Sequence, residues 1–336
     1  MDRLAQLERW LAGHRPGTQF ALSPASADAS FRRYFRAEFD GRAPRTLIVM
    51  DAPPEREDCR PFIHVAKLLE QAGLNAPRVL AHDLEQGFLL LTDLGTTTYL
   101  EALQSADAAD ADRLFADATD ALVRWQLASR PGELPPYDSK LLRRELELFP
   151  EWYVGRHLGV ALEPGEREVI ERAFALIIGS NLAQPVVYVH RDYMPRNLMV
   201  CDPNPGILDF QDAVYGPISY DVASLAKDAF ISWEDERVLD WTIRYWEKAR
   251  RARLPVDPDF SRFWRDAEWM GLQRHLKVAG IFARLAYRDG KHQYLADTPR
   301  FLAYIRPVVA RYPVLAPLAA LLDRLEGRTR VSGYTF

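Results

Sequence analysis

The stretch VVYVHRDYMPRNLMV, residues 186–200, decides the fold of this chain. Its first residues are apolar and β-branched, which is typical of a buried strand, and they lead into His190, Arg191 and Asp192. Four residues separate Asp192 from Asn197, and a second apolar run follows directly. The pattern therefore predicts two short strands joined by a loop that carries a carboxylate and, further along, an amide.

This spacing is that of the kinase catalytic loop, H-R-D-x-x-x-x-N. In such a loop the carboxylate accepts the proton of the attacking hydroxyl, and the amide oxygen holds a metal ion on the phosphates. Asp192 is therefore the candidate catalytic base and Asn197 a candidate metal ligand. A buried histidine followed by turn-forming residues is the alternative, and the apolar runs on both sides of the loop argue against it.

A second carboxylate lies in GILDFQ, residues 206–211, where another short apolar run ends in Asp209. Kinases place a metal-binding Asp-Phe-Gly at this distance from the catalytic loop, although here the third residue is Gln211. Magnesium prefers oxygen ligands. Asn197 and Asp209 are therefore the predicted Mg²⁺ ligands.

A third aspartate, Asp221, lies in SYDVASL, residues 219–225, which is predicted to open a helix with Ser219 as its N-cap. Two roles remain open for Asp221. It either braces the catalytic loop or interacts with the dipole of the helix that it opens.

The sequence before this region predicts a small β-rich lobe with the order β-β-β-α-β-β. Its clearest segments are strands at 31–39, 46–50, 78–82 and 88–92 and a helix at 57–72. Apart from 186–210, the rest of the chain has helical periodicity. We therefore predict an α+β, bilobal, protein-kinase-like fold with a nucleotide-binding lobe at residues 1–95 and a larger, mainly helical catalytic and substrate-binding lobe at 96–336.

Composition disfavours several classes of protein. A net charge of -4 over 336 residues gives no basic field that would attract nucleic acid or acidic lipid. Cys59 and Cys201 form no C-x-x-C pair, and no run of about 18 apolar residues occurs. We expect a cytoplasmic protein with no nucleic-acid, membrane or obligate protein partner.

The runs HRDYMPRNLM and LDFQDAVYGPISYDVASL resemble the aminoglycoside phosphotransferase-like family, which is related to the choline kinases. The chain is most similar to bacterial anomeric kinases of N-acetylmuramate and N-acetylglucosamine, and SADASFRRYFR and VMDAPPE add to that likeness. The resemblance implies ATP- and Mg²⁺-dependent phosphorylation of the C1 hydroxyl, as in recycling of cell-wall amino sugars. It gives Asp192 the role of base and makes Asn197 and Asp209 the metal ligands.

The resemblance also implies an ATP pocket near Leu91, Asp93 and Leu94. Protein kinases hold the phosphates with a glycine-rich loop and a strand lysine. Here the corresponding loop, SADAS at residues 26–30, contains no glycine, and the lysine position falls at Met50 or a neighbour.

Other side chains would then contact the phosphates, and Ser30 is one candidate. Arg32 and Arg33 alternate in direction on the next strand, so that only one of them can face the nucleotide. We favour Arg32, with solvent-facing arginines as the alternative.

The acceptor is expected to be a small molecule. The segment between Asp209 and Asp221 is short and is not followed by an A-P-E motif, so the chain lacks the peptide platform of protein kinases. Arg196, Asp212 and Tyr215 are the candidate substrate contacts, and Arg196 faces a carboxylate, the phosphates or solvent.

Two alternatives to an amino-sugar kinase remain. An aminoglycoside, choline or homoserine kinase would use the same chemistry on another acceptor. A nucleotide-binding pseudokinase scaffold is favoured only by the missing strand lysine, and the complete set of Asp192, Asn197 and Asp209 argues against it.

Overall fold

The computed structural model describes residues 2–26, 31–41 and 44–327, without the side chain of Ser26. The chain forms two compact units, one of Met1–Ala128 with Pro195–Ala213 and one of Ser129–Met194 with Val214–Phe336. The first unit thus includes residues 96–128 and 195–213, which lie beyond the predicted lobe boundary at 95/96. That boundary concerns the functional lobes and stays a prediction.

An antiparallel five-stranded sheet forms the centre of the first unit, with the order β1-β2-β3-β5-β4. Its strands are β1 Phe20–Ser26, β2 Arg33–Phe39, β3 Thr46–Asp51, β4 Val79–Asp83 and β5 Phe88–Thr92. Helix α2, Arg60–Gln71, lies between β3 and β4 in sequence, so the order matches the predicted β-β-β-α-β-β, although the sequence pattern gave bounds for only four of the five strands.

Strand β1 was not located by the sequence pattern because its sequence, FALSPAS, contains Pro24. Proline cannot donate a ladder hydrogen bond, and in sheets it is confined to edge strands and bulges. Strand β1 is at the sheet edge, and its register with β2 shifts between Pro24 and Ser26. The edge position and the register shift therefore accommodate Pro24, which weakens the strand pattern in the sequence.

Helices cover the sheet and extend the first unit. Helix α1, Arg3–His14, packs Leu7 and Leu11 into the core under the sheet. Helix α2 buries the five apolar residues predicted for its inner face, which are Phe62, Val65, Ala66, Leu68 and Leu69. The remaining elements are α3 Tyr99–Ser105, α4 Ala108–Leu127, the 3₁₀ turn Pro195–Asn197 and the short hairpin of β7 Leu198–Met199 with β8 Gly206–Ile207.

The second unit is mainly helical and contains one antiparallel strand pair, β6 Val186–Val189 with β9 Val214–Pro217. Its helical segments are α5 Ser139–Leu146, the π-helical Phe149–His157, α6 Pro164–Leu182, α7 Tyr220–Ala226, α8 Asp235–Arg251, α9 Phe260–Tyr287, 3₁₀ His292–Asp297, α10 Thr298–Arg311, 3₁₀ Pro313–Leu315 and α11 Ala316–Leu325. The core is built around α9, which packs against the π-helical segment, α6 and α10. The predicted α+β class is therefore confirmed.

Over the described residues, no single helix has both the length and the apolar composition of a membrane span. The segments His292–Arg311 and Pro313–Leu325 meet those criteria jointly, with a bend of 118° between them.

A close backbone approach requires glycine at one position of α9. A Cβ atom on Gly280 would lie 2.3 Å from both the carbonyl carbon and the carbonyl oxygen of Leu148, just before the π-helical segment. Backbone atoms cannot yield as the tip of a flexible side chain can. Gly271, nine residues earlier on the same helix, has no such contact, since its nearest neighbour would be His275 Cε1 at 3.5 Å.

We expect Gly280→Ala to destabilise the protein by about 1–3 kcal/mol, because overpacking outweighs the gain in helix propensity. Gly271→Ala is the matched control, and it is expected to leave stability unchanged or raise it by up to about 1 kcal/mol. Urea unfolding followed by circular dichroism measures both changes. Equal midpoints for the two variants would contradict the role given to the contact with Leu148.

Candidate active site

The predicted base, Asp192, lies directly after strand β6 on a loop fixed by a buried carboxylate. Asp221 is fully buried, and its two oxygens accept hydrogen bonds from the backbone N–H groups of His190 at 2.7 Å and Arg191 at 3.0 Å. Arg191 has a φ of 77°, a conformation that is uncommon for a residue with a side chain. The N–H of Asp192 lies 3.3 Å from His190 Nδ1. Asp221 therefore braces the catalytic loop.

Asp221 also lies in the first turn of α7, where a carboxylate interacts favourably with the helix dipole, so the two roles predicted for it are compatible. Ser219 stands at the N-cap position of α7 but makes no capping hydrogen bond. Its hydroxyl donates to Gln184 Oε1 at 2.6 Å instead. The predicted N-cap position of Ser219 is therefore confirmed, but its hydroxyl does not cap the helix, because a tertiary partner takes it.

A buried charge cluster lies behind the same loop, with Glu145 of α5 at its centre. Its carboxylate pairs with Arg191, accepts a hydrogen bond from Tyr137 and lies 3.0 Å from both Lys277 Nζ and Gln273 Nε2. Lys277 Nζ also donates to the hydroxyl of Tyr220 at 3.0 Å. These contacts hold the side chain of Arg191, next to Asp192.

The cluster is ionised despite its burial. Burial raises the pKa of Glu145, but Lys277 and Arg191 oppose it and hold the pKa at about 2. Burial lowers the pKa of Arg191 and Lys277, but the attraction of Glu145 outweighs this and raises both, with a further contribution from Asp192. Asp192 therefore lies in the field of two cations. Burial also raises the pKa of Asp221, to about 7, against the opposing effect of its two amide hydrogen bonds.

The two predicted metal ligands lie together in the first unit. Asn197 Nδ2 lies 3.4 Å from Asp209 Oδ2, and the N–H of Leu208 donates to the carbonyl of Asn197 at 2.9 Å. Gln211, which stands where kinases have glycine, donates to Asp209 Oδ1 at 2.8 Å. Asp209 has a φ of 60°, a left-handed conformation that is uncommon for a residue with a side chain.

These donors fit a magnesium ion that is shared with phosphates. Mg²⁺ is usually bound by one or two protein oxygen ligands together with substrate phosphates and water. In the described part of the chain, no three His, Cys, Asp or Glu side chains are grouped so as to hold a metal ion by themselves. The adjacent amide of Asn197 and carboxylate of Asp209 supply the two protein oxygens that such a phosphate-bound ion needs. For this, the amide oxygen of Asn197 has to be turned toward the ion.

A cavity of ≈ 380 Å³ in the first unit contains most of the predicted nucleotide contacts. Strand β5 and the segment after it line one side with Leu91, Asp93 and Leu94, whose contact with ATP stays a prediction. The predicted metal ligands and Arg196 line it as well, and so does Phe210, whose ring lies 4.7 Å from that of Phe62 on α2. Its volume is in the range of small-ligand pockets.

Arg36 was missed by the sequence analysis and lies in the wall of this cavity. Its guanidinium bonds both carboxylate oxygens of Asp93, at 2.7 and 3.0 Å, and the carbonyl of Gly95 at 2.7 Å. Asp93 is therefore a partner of Arg36. The signal available in the sequence was alternation along β2, which places Arg36 and Tyr34 on one face.

The surroundings of the predicted phosphate contact Arg32 differ from those of its neighbour Arg33. Arg32 is partly buried, pairs with Glu57 at 2.9 Å and is within electrostatic range of Asp209 and Asp212. Arg33 turns the other way and pairs with Asp51, which is consistent with the preference for Arg32. Ser30 lies outside the described residues.

The three predicted substrate contacts are in different surroundings. Arg196 lines the cavity of the first unit, and Asp212 is exposed in the same unit, 3.5 Å from Gln211 Nε2. Tyr215 belongs to β9 in the second unit, where its ring is half-buried and meets that of Tyr188 edge-on at 6.3 Å. Their roles as substrate ligands stay predictions.

Known proteins resemble this chain in sequence and in fold. The N-acetylmuramate/N-acetylglucosamine kinase of Pseudomonas aeruginosa is 53% identical over 333 residues, 96% of this chain and 97% of that protein. The protein of the same name from Neisseria meningitidis serogroup B is 51% identical over 339 residues and the whole of both chains.

A solved aminoglycoside phosphotransferase, a thermostable mutant in ternary complex with ADP and hygromycin B, matches with a TM-score of 0.58 and 14% identity. The match covers 90% of this chain and 98% of that one, and it shows a shared protein-kinase-like phosphotransferase fold. The family model described as the phosphotransferase enzyme family matches residues 21–258. The chain therefore belongs to the phosphotransferase enzyme family.

Proposed function

We propose that this enzyme uses ATP and Mg²⁺ to phosphorylate the anomeric C1 hydroxyl of N-acetylmuramate and N-acetylglucosamine, giving the sugar 1-phosphates. The observation that carries the proposal is the 51–53% identity, over nearly the whole chain, to two proteins named as kinases of these sugars. The ADP bound to the structural relative supports a nucleotide donor. A cytoplasmic location, where ATP is available, is part of the proposal, and so is a role in recycling cell-wall sugars.

In the proposed reaction, Asp192 accepts the proton of the C1 hydroxyl as its oxygen attacks the γ-phosphorus. A bond forms between O1 and phosphorus, and the bond from phosphorus to the β–γ bridging oxygen breaks, so that ADP leaves. Anomeric hydroxyls are more acidic than ordinary alcohols, which reduces the demand on the base. Asp221 and Glu145 support this step by fixing the backbone and side chain of Arg191, next to the base.

The first unit is proposed to bind the nucleotide, with Leu91 and Leu94 against the base of ATP. Mg²⁺ held by Asn197 and Asp209 would offset the negative charge on the phosphates. Arg196 lines the same cavity as these ligands. We therefore assign Arg196 to the phosphates rather than to the substrate.

The acceptor is tested with a panel of N-acetylmuramate, N-acetylglucosamine, kanamycin and choline, with ADP release as the readout. We expect turnover with the two amino sugars, and phosphorus NMR of the products should show a phosphate on C1. Turnover confined to kanamycin or choline would refute the sugar assignment. No turnover with any of the four would favour the scaffold alternative.

We expect Asp192→Asn to lower kcat by a factor of about 10²–10⁴, the usual contribution of a general base. Nucleotide affinity should be unchanged, because the variant keeps the size of the side chain. Asp202→Asn, at an exposed position ten residues later, is the control and should retain activity. A kcat near that of the parent enzyme would remove Asp192 from the reaction.

Asp209→Ala should weaken the binding of ATP in the presence of Mg²⁺ and have a smaller effect in EDTA, because it removes a metal ligand. Isothermal titration calorimetry of both variant and parent, with and without the metal ion, measures the difference. The assignment fails if the variant and the parent respond equally to Mg²⁺.

A further inference from the structure

A small cavity in the second unit contains a lysine that has no directly paired carboxylate among the described residues. The cavity measures ≈ 30 Å³ and is partly open, and it lies between α7, α8 and α9. Its polar lining includes Lys227, Glu268 and His275, and its other walls are mostly apolar. A volume of this size admits one or two water molecules or one small polar group of a larger ligand.

Lys227 is the cation of this cavity. It is partly buried, and among the described residues no carboxylate lies within ion-pair distance of its ammonium, which has the ring of Tyr304 at 5.7 Å. The acidic residue in the lining, Glu268, pairs with Arg311 and accepts from the hydroxyl of Tyr312 at 2.6 Å. Asp235 and Glu268 act on Lys227 electrostatically, but neither lies within ion-pair distance of it, and a partly buried cation without a directly paired carboxylate favours an anionic ligand.

His275 supplies an acceptor next to this cation. It is buried, its Nε2 lies 3.3 Å from the carbonyl oxygen of Lys227, and its Nδ1 has no hydrogen-bond partner. A carbonyl can only accept, so the proton is on Nε2 and Nδ1 is the lone-pair nitrogen. Burial and two nearby cations lower the pKa of this ring well below its usual value, which keeps it neutral. The cavity thus pairs a site for an anion with a site for an O–H or N–H donor.

Helices α7 and α9 each contact both the cavity and the catalytic loop. Asp221, near the start of α7, holds the loop, and Lys227 follows the end of that helix, about 9 Å away at 1.5 Å per residue. Arg274 of α9 reaches both places, with Nη1 3.5 Å from the carbonyl of Lys227 and Nη2 3.6 Å from the sulfur of Met194. The cavity therefore lies at the other end of a two-turn helix from the residue that holds the catalytic loop.

We propose that this cavity is the subsite for the carboxylate of N-acetylmuramate, with Lys227 binding the lactyl group and His275 accepting from a neighbouring hydroxyl or amide. The inference rests on the proposed sugar-kinase function. N-acetylglucosamine lacks the lactyl group and therefore makes no contact with Lys227. The subsite thus separates the acidic sugar from the neutral one.

The test is to measure kcat/KM for both sugars with Lys227→Met and Gly271→Ala. Lys227→Met should lower the value for N-acetylmuramate by about ten- to a hundredfold, the usual range for a charged hydrogen bond, and that for N-acetylglucosamine by less than about threefold. Gly271 lines the cavity, and Gly271→Ala adds a methyl group in van der Waals contact with Ala223 and His275, without closer overlap. Because this methyl group takes up space in the cavity, it should lower the N-acetylmuramate value by about tenfold. Lys140→Met, at an exposed position of α5, is the charge-matched control.

Equal losses with both sugars would show a structural role for Lys227, and unchanged values would show that the cavity does not contact the acceptor; either result overturns the subsite. If the parent enzyme phosphorylates neither sugar, the proposed function fails. Calorimetric titration of the two sugars into the parent and Lys227→Met then decides the subsite alone. A selective loss of N-acetylmuramate affinity supports it, and equal affinities refute it.

Discussion

The two hydrogen bonds from the backbone of His190 and Arg191 to Asp221 are the constraint on which the catalytic loop depends. Arg191 has a left-handed backbone, which costs free energy for a residue with a side chain, and it persists only where its surroundings determine it. Asp221 holds this conformation with a fully buried carboxylate that accepts a hydrogen bond from each of the two N–H groups. If Asp221 is removed, the two amides lose their partners and the position of Asp192 is no longer specified.

The charges around the loop balance only when Asp192 is included. Arg191 and Lys277 carry two positive charges, and Glu145 carries one negative charge among them. The cluster is left with one positive charge, and Asp192 is the anion that contributes to the raised pKa of both cations. Buried ion pairs add little net stability, because desolvation offsets their attraction. This cluster is therefore better explained by the electrostatic surroundings that it gives to Asp192.

The sequence predicted what short spacing determines and missed what distant segments bring together. Asp192, Asn197 and Asp209 were found because they lie within one strand-loop-strand segment whose chemistry fixes the spacing. Glu145 and Lys277 come from α5 and α9, and no local pattern connects them with the loop. Lys277 had a signal as a charged residue in the apolar run LKVAGIFA, which shows that a partner exists but not which one, whereas Glu145 lies among other charged residues in SKLLRREL and had no such signal.

The acidic groups around Arg32 explain why a divalent ion belongs to the proposed chemistry even though the strand lysine is missing. Glu57 pairs with Arg32, and Asp209 and Asp212 lie within its electrostatic range, so three carboxylates face one cation. Arg36 does not compensate, because Asp93 and Gly95 occupy its guanidinium. Arg196, in the wall of the same cavity as Asp209, offsets one of these charges, and the negative charge that remains would repel the phosphates of free ATP. The same charge attracts a divalent ion, so the site is suited to a nucleotide that arrives with its magnesium already bound.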